Sequence, residues 1–478
     1  MIPAGPTKRN GPATRIPEAT HVETAVEYLR KEQKRHLDEL IELCKIPSIS
    51  TKPDHADDVR RAVEWTRDKC RSAGLTAEIH ETGGHPLVYA EWCGAGDDAP
   101  TYLVYGHVDV QPEGDLKLWD AGPFEPTRTG DWLVCRGSAD DKGQVLLYVR
   151  AAEAWLQTEG RLPINLKLLI EAEEEIGSPH LEPFIREHAA LLKCDGILIS
   201  DTGLARDGQP AITRGTRGMV YKEVFLSGPK HDLHSGQFGG AVQNPANALA
   251  AMIAALHDDD NRVTIPGFYD DVVDPTEEDR AQIRALGIDD EQFAADLGVP
   301  ALWEGERGYT AQERRSIRPT LDVNGLTSGF QGQGANTIIP ARASAKLSMR
   351  LVPNQNAAKI SKAFDAHIRG LCPPGVRMKL TTHGAEADAY VTPSDHPALR
   401  AAVRGLREAF DQEPVQLREG GSLPILPMFK EALGADCVLL GFASPNCNAH
   451  GPNEKVNLPD LDRGAEAIAR LFAHLAAS

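Results

Sequence analysis

The 478-residue chain holds no run approaching the ~18 consecutive apolar residues that a membrane-crossing helix needs, so no membrane partner is expected. Its eight cysteines (Cys44, Cys70, Cys93, Cys135, Cys194, Cys372, Cys437 and Cys447) form no CxxC pair. Scattered along so long a chain, they predict reduced thiols in the cytoplasm and no disulfide framework. Basic residues are in deficit, 51 against 69 acidic, which leaves a formal charge of −18. Nucleic acid is therefore an unsuitable partner, because a phosphate grip needs basic patches. No GxGxxG opens a helix after a strand, no GxxxxGK[ST] is present, and the GxSxG of a serine hydrolase is missing. Met1–Thr20 also lacks the apolar run of a secretory signal and, rich in Pro, Gly and Thr, reads as a flexible tail.

What is present is the composition of an ordinary globular protein, 41% hydrophobic and 25% charged, at a length that favours two or three domains. Helical spacing of apolar residues runs from His21 to about Cys44 and again over Asp57–Ala73. Short apolar strands then alternate with helices. These are Leu87–Trp92, Tyr102–Tyr105, a helix over Gln144–Leu156, Leu166–Glu171, a helix near His180–His188, and Gly196–Ser200. That alternation predicts an α/β domain with a mixed, mostly parallel sheet and helices on both faces.

After Asp201 the texture changes. Strands at Val220–Leu226, Ala343–Leu351 and Arg377–Thr382, helices at Asn244–Leu256 and Ala357–Leu371, and an acidic stretch over His257–Thr320 suggest an inserted α+β domain with an antiparallel sheet. From about Thr392 the earlier style resumes, with helices over Pro397–Phe410, Leu423–Leu433 and Leu458–Ala477 and a strand at Cys437–Gly441. The expected organisation is a tail (1–20), a discontinuous catalytic domain (21–213 and 392–478) and a lid or dimerisation domain (214–391).

Four apolar strands end in acids or histidine: Tyr102-Leu-Val-Tyr-Gly-His107-Val-Asp109, Leu166-Lys-Leu-Leu-Ile-Glu171-Ala-Glu-Glu174-Glu175, Gly196-Ile-Leu-Ile-Ser-Asp201 and, after a loop, Cys437-Val-Leu-Leu-Gly…His450. Ligands of open α/β sheets bind beyond the carboxyl ends of strands. The pattern therefore gathers His107, Asp109, Glu174, Glu175, Asp201 and His450 at one edge, and Arg136-Gly-Ser-Ala-Asp140-Asp141-Lys-Gly143 adds two carboxylates before a helix. So many acids repel one another unless cations neutralise them. Two imidazoles among carboxylates, with no thiolate cluster, suit zinc, manganese or cobalt better than calcium. His80-Glu-Thr-Gly-Gly-His85 is one residue too long for HExxH and too glycine-rich for its helix. Cys447, close to His450, reads as a plain buried thiol.

In chain order, Gly106-His107-Val108-Asp109-Val110-Gln111-Pro112, Gly137-Ser-Ala-Asp140-Asp141-Lys-Gly143, Glu173-Glu174-Glu175-Ile-Gly-Ser178, Ser200-Asp201 and Ala449-His450-Gly-Pro-Asn-Glu454 resemble the dinuclear-zinc peptidases. That family includes carnosinases, cytosolic nonspecific dipeptidases, acetylornithine deacetylases and glutamate carboxypeptidases. The resemblance implies two divalent ions per subunit, zinc first, with manganese or cobalt as alternatives. Asp140 would bridge them beside a cis peptide to Asp141. His107 and Asp201 would complete one site, Glu175 and His450 the other. Asp109 would hold the free ring nitrogen of His107, and Glu174 would be the general base acting on a metal-bridging water. In His231-Asp232-Leu233-His234-Ser235-Gly236, the histidine matching the family's is His234; it would cross a homodimer interface and bond the oxyanion in the partner's site. His231 has no such support.

Asn336-Thr337-Ile338-Ile339-Pro340, Met349-Arg350-Leu-Val-Pro353 and Arg418-Glu419-Gly420-Gly421-Ser422-Leu-Pro424 look like the carnosinase and dipeptidase branch. Arg350 suits a bidentate clamp on a substrate carboxylate, assisted by Thr337 and His383. Ser422 would contact substrate from a glycine turn, and Glu419 would accept from its amino group. The expected activity is hydrolysis of dipeptides or very short peptides. The alternatives are an N-acyl amino-acid amidohydrolase with the same metals and, more remotely, an inactive binding protein of the same fold.

Overall fold

The computed structural model describes residues 19–478, apart from Asp207 and Ala385. The expected tail thus falls outside the described residues except for its last two, which open the helix Ala19–Lys31. The helical pattern of 21–44 is two helices, Ala19–Lys31 and Gln33–Cys44, parted at Glu32. With neither Gly nor Pro at the break, the apolar spacing runs through it unmarked.

The chain forms two compact units. The first comprises the residues up to Ile212 with Pro393–Val415 and Ala432–Ser478. Its strands lie in the order Thr76–His80, Leu87–Trp92, Asn165–Glu171, Thr101–His107, Gly196–Ile199, Cys437–Gly441. Leu87–Trp92 runs antiparallel to both of its neighbours, and the other five strands share one direction. The helix Lys142–Glu159 packs on Thr101–His107 and is covered by Ala19–Lys31, Gln33–Cys44 and Leu458–Ala476. It is buried from Lys142 to Trp155, the charged Lys142, Arg150 and Glu153 included.

The second unit is Thr213–Thr392 with Gln416–Glu431. Its antiparallel sheet has the order Thr320–Ser328, Arg342–Leu351, Gly218–Ser227, Arg377–Thr382. Gly218–Ser227 alternates strictly between buried and half-buried residues, so one face of that strand carries the core. Helices Pro245–Ala254 and Ala357–Leu371 cover this sheet. Residues 416–431, expected to lie with the metal-bearing segments, instead join the second unit. Arg217 donates to the Gly420 carbonyl (2.9 Å), Thr213 to Glu419 (3.1 Å) and Arg418 to Asp279 (3.3 Å).

A buried charge cluster beneath the first helices makes the fold acid-sensitive. His36 is 2% exposed, and burial, reinforced by Arg150, Arg35 and Lys69, pushes its imidazole down to about 2. The neutral ring accepts from Arg35 Nη2 at 3.3 Å. The folded-state value lies below the ordinary 6.5, so this contribution is complete above that pH and is lost as pH falls below it, where the unfolded chain takes up the proton first. Urea titrations between pH 6 and pH 4 are expected to show a steeper loss of stability in the wild type than in His36→Gln, by up to about one proton. Equal slopes would refute this origin.

Candidate metal centre

The parallel strands deliver their side chains to a common edge. His107 is the last residue of Thr101–His107, Glu174 and Glu175 open a 3-10 turn just beyond Asn165–Glu171, and Asp201 follows Gly196–Ile199 by two residues. His450 lies in the loop after Cys437–Gly441, and Asp140 sits two residues before the helix Lys142–Glu159. The backbone puts these residues together because neighbouring parallel strands end side by side.

Two groups of potential metal ligands result, and Asp140 belongs to both. His107, Asp140 and Asp201 present ligand atoms within 4.8 Å of one another, as do Asp140, Glu175 and His450. Each oxygen of Asp140 faces a different imidazole: Oδ1 is 3.1 Å from His107 Nε2 and Oδ2 is 2.9 Å from His450 Nε2. Asp201 Oδ2 is 3.9 Å from His107 Nε2, and Glu175 Oε2 is 3.4 Å from His450 Nε2. The Asp140–Asp141 peptide is cis. Among the described residues neither group contains a cysteine; Cys447 is buried and no disulfide joins any of the eight cysteines.

The electrostatics fit a cation-binding cage. Burial and the nearby Asp140 charge push Asp201 well above the usual carboxylate range and Glu175 to about 7. Burial also raises Glu174, with Asp140 and Asp109 adding to it against the pull of His107 and His450. Asp141 is buried, raised in the same way, and leaves Oδ1 without a hydrogen-bond partner. Two imidazoles and three carboxylates with paired groups around one shared aspartate are a donor set for divalent transition ions.

Asp109 adjoins the free ring nitrogen of His107, where sequence put it, and does a second job besides. The His107 Nδ1 lies 3.1 Å from the main-chain carbonyl of Asp109 and 3.4 Å from its carboxylate. That carboxylate also accepts from the backbone N–H groups of Glu174 (3.3 Å) and Glu175 (3.1 Å). It fixes the turn that carries both glutamates, while the carbonyl is the nearer partner of the ring.

In the second unit Arg350 donates to Ser422 Oγ at 2.8 Å. Glu419 accepts from Thr213, and burial raises its carboxyl. His383 is engaged with Glu223 (2.8 Å) and makes no bond to Arg350. Thr337 is also placed away from the arginine. It lies beside His234, its carbonyl accepting from Ser235 N–H at 3.0 Å. This ribbon, Leu233–His234 against Ile338–Ile339, is tied to Ala341 through Asp232. Ala341 adjoins the first residue of Arg342–Leu351, whereas Arg350 is the ninth. Eight residues of strand separate the two ends by ~26 Å, more than a dipeptide spans. The ribbon bearing Thr337 and His234 is thus anchored at the end of this strand opposite Arg350.

His234 is exposed, and its Nδ1 accepts the Gly236 N–H at 3.0 Å. That bond leaves the ring proton on Nε2, so the imidazole presents a donor. Two neighbours of the cage carried no assignment from sequence. Gln111 donates to Glu175 Oε2 at 2.6 Å and Arg136 to Glu454 at 2.8 Å. Gln111 and Glu454 stand inside recognisable motifs; their bonding partners are distant in the chain, so no local pattern announces them.

Comparison with known proteins places this geometry. The family model described as Peptidase family M20/M25/M40 matches residues 103–474. The chain is 32% identical over 401 residues to the Beta-Ala-His dipeptidase of Homo sapiens, covering 82% of this chain and 78% of that protein. It is 28% identical over 465 residues to the Cys-Gly metallodipeptidase of Schizosaccharomyces pombe, covering 94% and 97%. Among solved structures, an M20 family metallo-carboxypeptidase from Sulfolobus solfataricus superimposes with a TM-score of 0.81 at 33% identity, covering 93% and 99%.

Proposed function

The chain belongs to peptidase family M20/M25/M40, in its carnosinase and dipeptidase branch, and from that premise we propose that it is a metal-dependent dipeptidase working with two divalent ions, zinc first among them. The observation that carries the reading is Asp140, each of whose oxygens faces a separate histidine-containing group. His107 and Asp201 would hold one ion, Glu175 and His450 the other, with Asp140 shared. When bound, the ions supply Lewis acidity towards the scissile carbonyl and acidify the attacking water.

Glu174 takes a proton from that water and delivers it to the departing amine. Its backbone is held by Asp109, which keeps the side chain's reach constant through the exchange. Arg350, with Ser422 on one of its nitrogens, binds the substrate carboxylate, and Glu419 receives the amino group. Fixing both ends selects for very short chains. His234, with its donor nitrogen exposed and ~26 Å of strand between its ribbon and Arg350, serves the site of a second copy. The edge strand Thr320–Ser328 supports such a homodimer, for it exposes Val323 and Leu326, and Phe330 just beyond it is exposed as well. Eight cysteines joined by no disulfide suit the cytoplasm, and no helix among the described residues is long and apolar enough to cross a membrane.

Metal analysis together with a panel of dipeptides, N-acetyl and N-succinyl amino acids tests the assignment. Turnover confined to the acylated amino acids would replace dipeptidase by amidohydrolase. Arg350→Ala is expected to raise KM about 10- to 100-fold, the worth of a charged hydrogen bond, with kcat changed far less. Initial-rate kinetics on a dipeptide decide this, and an unchanged KM would remove the clamp.

A further inference from the structure

The loop carrying Asp140 is irregular, and a single side chain organises it. Glu454 is 1% exposed, and four donors converge on its carboxylate. Oε1 accepts from the N–H groups of Ala139 (3.0 Å) and Asp140 (3.1 Å); Oε2 accepts from Gly137 N–H (3.0 Å) and Arg136 Nη1 (2.8 Å). A carboxylate offers about four lone-pair sites, and here all are taken. The main-chain carbonyl of Glu454 adds a fifth bond, from Cys135 N–H at 2.9 Å.

The same residue lies four positions after His450 and so joins the His450 loop to the Asp140 loop. Arg136 extends the link. Its second nitrogen donates to the Pro112 carbonyl (3.1 Å), and its guanidinium lies over the Trp119 ring, 5.5 Å from the centroid. Gln111, adjacent to Pro112, holds Glu175. The three segments bearing Asp140, Glu175 and His450 are thus tied together through one buried ion pair. His107 ends a sheet strand and Asp201 follows another closely, so the first group has a scaffold that the second lacks.

We propose that Glu454, with Arg136, is the positioning residue of the Asp140–Glu175–His450 group, and that it sets the affinity of this group's ion more strongly than that of the other, with which it is linked only through Asp140. The inference rests on the two-ion reading given above. Glutamine at 454 keeps the shape but turns an N–H2 towards two of the four donors, so the loop loses half of its anchorage. Outer partners of metal ligands commonly carry 10- to 100-fold in affinity.

Metal-free wild type, Glu454→Gln and Arg136→Lys would be titrated with Zn2+ and with Mn2+ by calorimetry and chelator competition, with circular dichroism to confirm folding. The expected result for Glu454→Gln is one ion weakened about 10- to 100-fold and the other distinctly less. Activity should recover in excess metal with KM unchanged. Arg136→Lys, which keeps the charge and loses the branch to Pro112, should weaken the same ion to a smaller degree. Two ions bound by Glu454→Gln at wild-type affinity, or both weakened alike, would overturn the proposal. Should Glu454→Gln fail to fold, an unaltered pair of affinities in Arg136→Lys would overturn it too. A wild type that binds no ions would instead overturn the two-ion reading, which is a separate result.

Discussion

Glu174→Gln is expected to lower kcat by about 10²- to 10⁴-fold, the usual share of a general base, while leaving KM and metal content where they are. The argument is one of separable duties. Glu175 belongs to a ligand group and Glu174 to neither. Both ride on a turn whose backbone N–H groups are bonded to Asp109, an anchorage that amidation of the Glu174 side chain leaves intact. Glutamine reproduces the size and polarity of the side chain and lacks only the capacity to carry the proton. Turnover kinetics on a dipeptide, with metal counted on the same sample, decide the matter. Undiminished kcat would move the base elsewhere, and loss of metal would make Glu174 a ligand.

Removing the donor of His234 is expected to lower kcat by about 10²- to 10³-fold, as for other oxyanion partners. The register of the second unit makes the location of that effect testable. The ribbon bearing His234 is anchored at the end of Arg342–Leu351 opposite Arg350, ~26 Å along the strand, which supports the proposal that a complete site draws on two subunits. His234→Ala and Glu174→Gln would each be nearly inactive alone. Mixed and allowed to exchange subunits, they should form hybrid dimers with one intact site, restoring about a quarter of wild-type activity at equal proportions. No recovery on mixing, in a sample shown to exchange, would place His234 in its own subunit's site or in none.

Much of this was legible in the chain itself, for reasons that can be named. Parallel strands end together, so an apolar run closing on His107, Glu174 or Asp201 already locates a side chain on a sheet edge. Helices such as Ala357–Leu371 and Pro397–Phe410 carry long apolar spacing and fall within their expected bounds. What escaped depends on partners. Thr76–His80 and Thr320–Ser328 are edge strands with mostly exposed or half-buried residues, and the second lies at the end of an acidic stretch that reads as helix and loop. Residues 416–431 resume the texture of the first unit but are held by Arg217, Thr213 and Asp279. Thr337 stands in a recognisable motif, and only the pairing of its strand shows that it lies beside His234. Glu454 stands in plain view beside His450, yet its role emerges only when Gly137, Ala139 and Asp140 are seen to point their amides at it.

The helix Lys142–Glu159 begins two residues after Asp140 and is enclosed by the sheet and three other helices. Segments so enclosed open only when the whole domain does. Asp140 is thereby moored to a segment whose opening is expected to accompany that of the whole unit, so its position should outlast fluctuations of the surrounding loops.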